Sequence, residues 1–101
     1  MAKRSASKPR WPRSIMICGV KIKIKYTDKT LIDEGTELFG CFVADTLTIH
    51  ISKNSNIHDT LCHEIFHSWL HVSGYNQGMT AKFEEGLTTS FEHTFSKFIS
   101  F

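Results

Sequence analysis

The chain has 101 residues, with 12 Lys and Arg, 10 Asp and Glu and 6 His, and a formal net charge of +2. This length predicts a single domain, and a hydrophobic fraction of 41% with 8 Phe is enough for one core. No apolar run reaches the length of a membrane span, and no apolar stretch typical of a signal peptide follows the charged N-terminus. These absences predict a protein without membrane contact.

The first predicted segment is a flexible basic arm over residues 1–14, followed by one domain over residues 15–101. Residues 1–13 hold five basic and no acidic side chains, whereas the other 88 residues hold seven basic and ten acidic ones. A polar, charged segment of this kind is typical of a solvated tail. Nucleic acid is expected as a partner only if this arm binds it, with Trp11 available for stacking.

Three strands are predicted ahead of the first long helix. Residues 20–26 alternate apolar and basic side chains with a period of two, as a half-buried strand does. Residues 27–36 are polar and predict a loop or a short helical turn. Residues 37–43 and 46–51 predict two strands joined tightly at Ala44 and Asp45. We therefore expect a mostly antiparallel sheet of about three strands.

Two helices complete a predicted α+β fold. Asn56 is a suitable N-cap with Asp59 as a capping-box-like partner, and Gly74 is a suitable C-terminal stop. An apolar stripe between them is formed by Leu61, Ile65, Trp69 and Val72. The second helix is predicted from about residue 80 to about residue 99. Its expected buried side consists of Phe83, Leu87, Phe91, Phe95 and Phe98.

The three cysteines, Cys18, Cys41 and Cys62, are odd in number, widely spaced and without a C-x-x-C pair. They are predicted to be reduced, buried small hydrophobes of a cytoplasmic protein. Cys62 is next to His63, but neighbouring positions of a helix differ by about 100°, so it is not expected to share a ligand site with that histidine.

The motif that carries chemistry is His63-Glu64-Ile65-Phe66-His67, an H-E-x-x-H sequence within the first predicted helix. Positions i and i+4 lie on one helix face, so both imidazoles can bind one metal ion. Glu64 is then placed to act as a general base on water activated by that metal. The apolar stripe lies on a different face, which leaves both histidines free to form a site.

A third ligand is needed, because a catalytic zinc usually has three protein ligands. The extended pattern with Gly and His three and six residues after the motif is excluded, since Leu70 and Ser73 occupy those positions. His71 continues the i, i+4 series but drifts around the helix, so one ion can hardly bind all three histidines.

The combination of H-E-x-x-H with Glu85-Gly86-Leu87, 18 residues after His67, resembles the gluzincin arrangement of zinc metallopeptidases. The order strand, H-E-x-x-H helix, glutamate helix also looks like minimal gluzincins and small phage-type zincins. The resemblance covers residues 18–98 and implies a zincin-like fold. It also implies Zn²⁺ bound by His63, His67 and Glu85, with Glu84 as the alternative third ligand.

The implied activity is hydrolysis of a peptide or protein substrate by an endopeptidase with Glu64 as general base. The strand over residues 46–51 is the implied substrate-pairing edge. Larger gluzincins carry a His or Tyr that stabilises the oxyanion in a following subdomain, which this chain does not have after the glutamate helix. His71, Tyr75 and His93 are the local residues that could replace it.

A second resemblance supports a different class of function. The segment from His67 through His71 to Gly74-Tyr75 is similar to the ligand motif of the metal-dependent endoribonucleases that mature bacterial ribosomal RNA. Gln77 stands in place of that family's third His, with Ser68 for Gly and Asn76 for Asp. The alternatives to a peptidase are therefore such a nuclease or a non-catalytic zinc-binding module.

Overall fold

A computed structural model of the chain describes residues 11–29, 31–33 and 35–101, and residues 1–10 of the predicted arm lie outside the described residues. The strands are β1 (Ser14–Ile17), β2 (Val20–Thr27), β3 (Leu31–Asp33), β4 (Thr36–Leu38), β5 (Gly40–Val43) and β6 (Thr48–Ser52). The helices are α1 (Ile57–Ser73) and α2 (Ala81–Phe95). Short 3-10 turns at Ala44–Thr46 and Ser96–Phe98 follow β5 and α2.

The predicted α+β class is confirmed, but the sheet differs from the prediction of about three mostly antiparallel strands. Four strands form a mixed sheet in the order β1-β2-β6-β5. The central pair β2 and β6 is parallel, whereas β1 and β5 run antiparallel to their neighbours. Strands β3 and β4 form a separate two-stranded sheet.

Sequence patterning missed two features of these strands. Residues 27–36 were predicted as a loop or turn, but they contain β3. Residues 37–43 were predicted as one strand, but the chain breaks at Phe39, between β4 and β5. A three-residue strand is too short to show a period-two pattern, so composition alone does not reveal β3 or β4.

The folded domain begins inside the predicted arm. Ser14 starts β1, and Trp11 packs against the hydrophobic core, where its ring lies 6.3 Å from that of His58. Cys18 and Gly19 join β1 to β2 with positive φ angles of 50° and 78°, the backbone that a two-residue hairpin turn requires. Residues 11–14 therefore belong to the folded domain. Trp11 packs on the core of the domain, whereas the sequence suggested that its ring is available to stack on nucleic acid.

The core forms where the alternating side chains of β2 and β6 meet α1. Ile22, Ile24, Ile49 and Ile51 are buried there with Leu61. Burying each such side chain is worth roughly 1.5–3 kcal/mol. The lysines that alternate with these isoleucines in β2 are exposed, as the period-two pattern predicts.

The ends of α1 are those expected from the sequence. The Asn56 side chain accepts a hydrogen bond from the backbone N–H of Asp59 at 3.1 Å, and Gly74 ends the helix with a φ of 83°. Asp59 was predicted to act as a capping-box-like partner of Asn56. Its carboxylate instead lies 3.6 Å from Nδ1 of His58.

The predicted buried side of α2 is wrong. Four of its five members are exposed, namely Phe83, Leu87, Phe95 and Phe98. Phe91 is half-buried, with its ring stacked 4.4 Å from that of Phe66 on α1. Thr88 is the buried residue of α2. Helix α2 is therefore rotated so that its acidic side, rather than its aromatic side, faces α1.

The cysteines only partly match the prediction of buried thiols. Cys62 is buried, but Cys18 is exposed and Cys41 is half-buried. Burial, with contributions from Asp59 and Glu92, raises the pKa of the Cys62 thiol to about 11.

Candidate metal centre

Helix α1 presents His63 and His67 on one face, one turn apart. Their ring centroids lie 5.0 Å from each other, and both side chains are half-buried. The opposite side of the helix is held against the sheet by buried residues, including Leu61. The two imidazoles are therefore carried by an element whose position the core fixes.

The carboxylate of Glu85 lies across both histidines. Its Oε2 is 3.1 Å from Nε2 of His63, and its Oε1 is 2.9 Å from Nε2 of His67. One ligand atom from each of these three residues falls within 4.8 Å of the other two. Two imidazole nitrogens and a carboxylate oxygen are a donor set that suits a divalent metal ion such as zinc. The three residues could thus hold a metal ion.

Two further carboxylates hold the histidine rings from behind. Oε2 of Glu84 lies 2.6 Å from Nδ1 of His67, and Oε1 of Glu92 lies 2.9 Å from Nδ1 of His63. Hydrogen bonds of this kind fix the tautomer and orientation of metal-binding histidines, because Nδ1–H donates to the carboxylate and leaves Nε2 for the ion.

These contacts separate the roles of the two adjacent glutamates of α2. Glu85 faces the Nε2 atoms, whereas Glu84 binds the far side of the His67 ring. The sequence motifs did not predict a role for Glu92. It lies seven residues, or two turns, after Glu85, and this spacing is the signal that could have placed it on the same face.

Glu64 is buried beside the two histidines, with 7% of its surface exposed. Desolvation raises the pKa of the Glu64 carboxyl from 4.5 to about 6, against the opposing effect of the nearby His67 and His63. The pKa of His67 is also raised. Burial alone would lower the His67 pKa, but the hydrogen bond to Glu84 and the charges of Glu64 and Glu85 outweigh burial.

A cleft of about 610 Å³ opens over these residues. One wall is formed by α1 and α2, and the other by the end of β4 and by β5. The described residues that line it include His63, Glu64, His67, Glu84, Glu85 and Glu92, together with residues 38–42. The cleft thus lies between the acidic and imidazole groups on one side and strand β5 on the other.

Strand β5 approaches α1 closely at Gly40. A Cβ atom on Gly40 would lie 2.6 Å from Cγ2 of Thr60 and 3.2 Å from Cγ of Glu64. Only a residue without a side chain fits this contact. Gly40 therefore brings the backbone of β5 to the mouth of the site.

The prediction that the strand over residues 46–51 is an edge is wrong. Strand β6, which occupies that segment, lies between β2 and β5. The edge strand beside the site is β5, whose other side has no strand partner among the described residues. The apolar content of residues 46–51 is typical of a central strand as well as an edge strand, so the sequence could not distinguish them.

The three residues suggested for oxyanion stabilisation lie elsewhere. His71 packs its ring 5.6 Å from that of Phe42, and Tyr75 packs 5.6 Å from Trp69. His93 is exposed on α2. Among the described residues that line the cleft, none of the three is present. Nor does the described His–His–Glu group include His71, as the nuclease resemblance would require.

Comparisons with protein-family models, with curated proteins and with solved structures find no match to this chain. Within residues 11–29, 31–33 and 35–101, neither helix has the length and apolar character needed to cross a membrane.

Proposed function

We propose that this chain is a zinc-dependent endopeptidase of the zincin type, with His63, His67 and Glu85 as metal ligands. The observation that carries the proposal is the convergence of these three residues beside the buried Glu64 in one open cleft. The carboxylates of Glu84 and Glu92 behind the two histidines support it, because binding sites for catalytic metals commonly hold their histidines in this way.

When bound, zinc would supply the Lewis acidity that polarises a carbonyl and lowers the pKa of water to about 7. The chain's own contribution is proton transfer. Glu64 accepts the proton of the attacking water and delivers it to the leaving amine as the peptide bond breaks. Its burial keeps other water away from the carboxylate and fixes its position beside the ligands.

The substrate in this proposal is an extended peptide that pairs with the free edge of β5. Pairing through backbone N–H and C=O groups gives affinity with little dependence on side chains. Gly40 lets the strand lie close to Glu64, so a peptide paired with β5 passes over the ligand group. A flexible segment of a protein fits this edge better than a folded surface does.

A non-catalytic metal-binding module is the second candidate function. It is favoured by one observation, which is that His71, Tyr75 and His93 are not among the described residues lining the cleft. Such a module would hold the metal ion and turn over no peptide.

The test compares zinc content and cleavage of fluorescein-labelled casein for the wild type, Glu64→Ala and His71→Ala. We expect Glu64→Ala to keep its zinc and to lose turnover, because it removes the base and not a ligand. His71→Ala is the matched control on the same helix and should change neither property. Unchanged cleavage in Glu64→Ala would contradict the peptidase mechanism, and a zinc-loaded wild type without cleavage would support the binding module.

A further inference from the structure

The side of α2 that points away from the metal centre is an exposed aromatic surface. Phe83 is 60% exposed and Phe98 is 74% exposed, and Leu87 and Phe95 lie between them. At 100° per residue, Phe83, Leu87 and Thr94 project to the side of the helix opposite to Glu85, Thr88 and Glu92. We call the row formed by residues 83, 87, 90, 91 and 94 of α2 and by Phe98 of the following 3-10 turn the α2 seam.

The aromatic surface continues from the α2 seam onto α1. Phe91 stacks on Phe66, Phe66 lies 5.5 Å from Trp69, and Trp69 lies 5.6 Å from Tyr75. Met16, which is exposed, lines the same groove as Phe66 and Phe91. Phe83, Leu87, Phe91 and Phe95 follow one another at a spacing of four residues, which makes them neighbours along α2 and joins the exposed side chains of this helix to the same patch.

The patch has the size of an interface. At about 200 Å² for a large side chain, the exposed fractions of its main members amount to about 770 Å². These members are Met16, Trp69, Tyr75, Phe83, Leu87, Phe95 and Phe98. Monomeric proteins rarely expose more than about 600 Å² in one apolar patch, and a stable interface buries about 800 Å² on each partner. Aromatic residues and Met are also the types enriched in the cores of such interfaces.

We propose that this patch binds a second copy of the chain, with the two α2 helices antiparallel around a two-fold axis at Ser90 and Phe91. The α2 seam is suited to this partner because its residues match across its own midpoint. Phe83 of one copy lies opposite Phe98 of the other, Leu87 opposite Thr94, and Ser90 opposite Phe91. In the inner pairs a large side chain meets a small one, which is the complementarity that close helix packing needs.

The helix dipoles favour the same orientation. An antiparallel pair puts the partly positive N-terminus of each α2 helix beside the partly negative C-terminus of the other, whereas a parallel pair would bring like ends together. The metal ligands face the opposite side of α2, so the cleft stays open in the dimer.

The test is the molar mass in solution, measured by light scattering over a concentration series. We expect the wild type to reach twice the 11.6 kDa of one chain. Leu87→Glu should remain a single chain, because it puts a charge in the α2 seam at an already exposed position. Phe39→Glu is the control, since Phe39 is an exposed apolar residue outside the patch and its replacement should not affect the dimer. A wild type of single-chain mass at every concentration, or a dimeric Leu87→Glu, would overturn the proposal.

Disulfide cross-linking tests the register in a Cys18→Ser background. Ser90→Cys lies at the proposed axis and should form a linked dimer on mild oxidation. Lys82→Cys is the control on the same helix, because antiparallel pairing keeps it about 25 Å from its own copy. Cross-linking through Lys82→Cys, or none through Ser90→Cys, would contradict this arrangement.

Discussion

The carboxylate of Glu92 contacts His63 from the side of the ring opposite to Glu85, with its Oε1 2.9 Å from Nδ1. The His63 imidazole therefore has a carboxylate beside each of its two nitrogens. The two carboxylates come from opposite ends of a two-turn segment of α2. The first, from Glu85, is placed to share a metal ion. The second orients the ring and makes Nε2 more basic toward that ion.

Replacing Glu92 with Gln is expected to weaken metal binding by about 10–100-fold, the usual cost of losing such a partner. The amide keeps the size of the side chain but removes its charge. Zinc affinity is measured by competition with a chromophoric chelator. Asp45→Asn, an exposed acid remote from the site, is the control and should bind zinc as the wild type does. Equal affinities for Glu92→Gln and wild type would show that Glu92 does not support the site.

Metal loading is expected to order α2 more than any other element. Thr88 is the buried residue of this helix. Four other α2 residues, Glu84, Glu85, Phe91 and Glu92, contact side chains of α1. Without the metal ion, these contacts must hold α2 alone. Hydrogen exchange of residues 81–95 should therefore slow after zinc is added, whereas exchange of the core strand β2 should change little. Equal slowing of both elements would indicate a global effect and contradict this view of α2.

Replacing Gly40 with Ala is expected to destabilise the fold by about 1–3 kcal/mol, because the new methyl group would overlap the Thr60 methyl. The free energy of unfolding in urea measures this loss. Thr60→Ser removes the opposing methyl group and should restore most of the stability in the double variant. Gly86→Ala, where a Cβ meets nothing within 4 Å in the middle of a helix, should instead stabilise by about 0.5–1 kcal/mol. A fully stable Gly40→Ala would mean that β5 does not pack this closely on α1.

Stability should fall at alkaline pH because of Tyr26. Burial raises the pKa of its phenol from 10.0 to about 12, and its O–H donates to the carbonyl of Pro12. The folded state therefore keeps the proton more tightly than the unfolded state. Its stabilising effect is complete below pH 10 and is lost as the pH rises through 12. Urea unfolding at several pH values should show this loss in the wild type and much less of it in Tyr26→Phe.

Local patterns were sufficient for features that depend on one element. The spacing of His63 and His67 put both on one face of α1, since that relation is a property of any α-helix. Asn56 and Gly74 marked the ends of α1 because caps act on the adjacent backbone. The alternation in β2 likewise predicted which of its side chains enter the core.

Only the tertiary structure decided how the elements meet. The rotation of α2 against α1 put Glu85 on the Nε2 atoms, Glu84 and Glu92 behind the rings, and the aromatic residues in solvent. The pairing of β2 with β6 made β5 the edge of the cleft. A helix with an acidic side and an aromatic side can bury either one. The choice depends on the groups it meets on a distant part of the chain, and here two histidines favour the carboxylates.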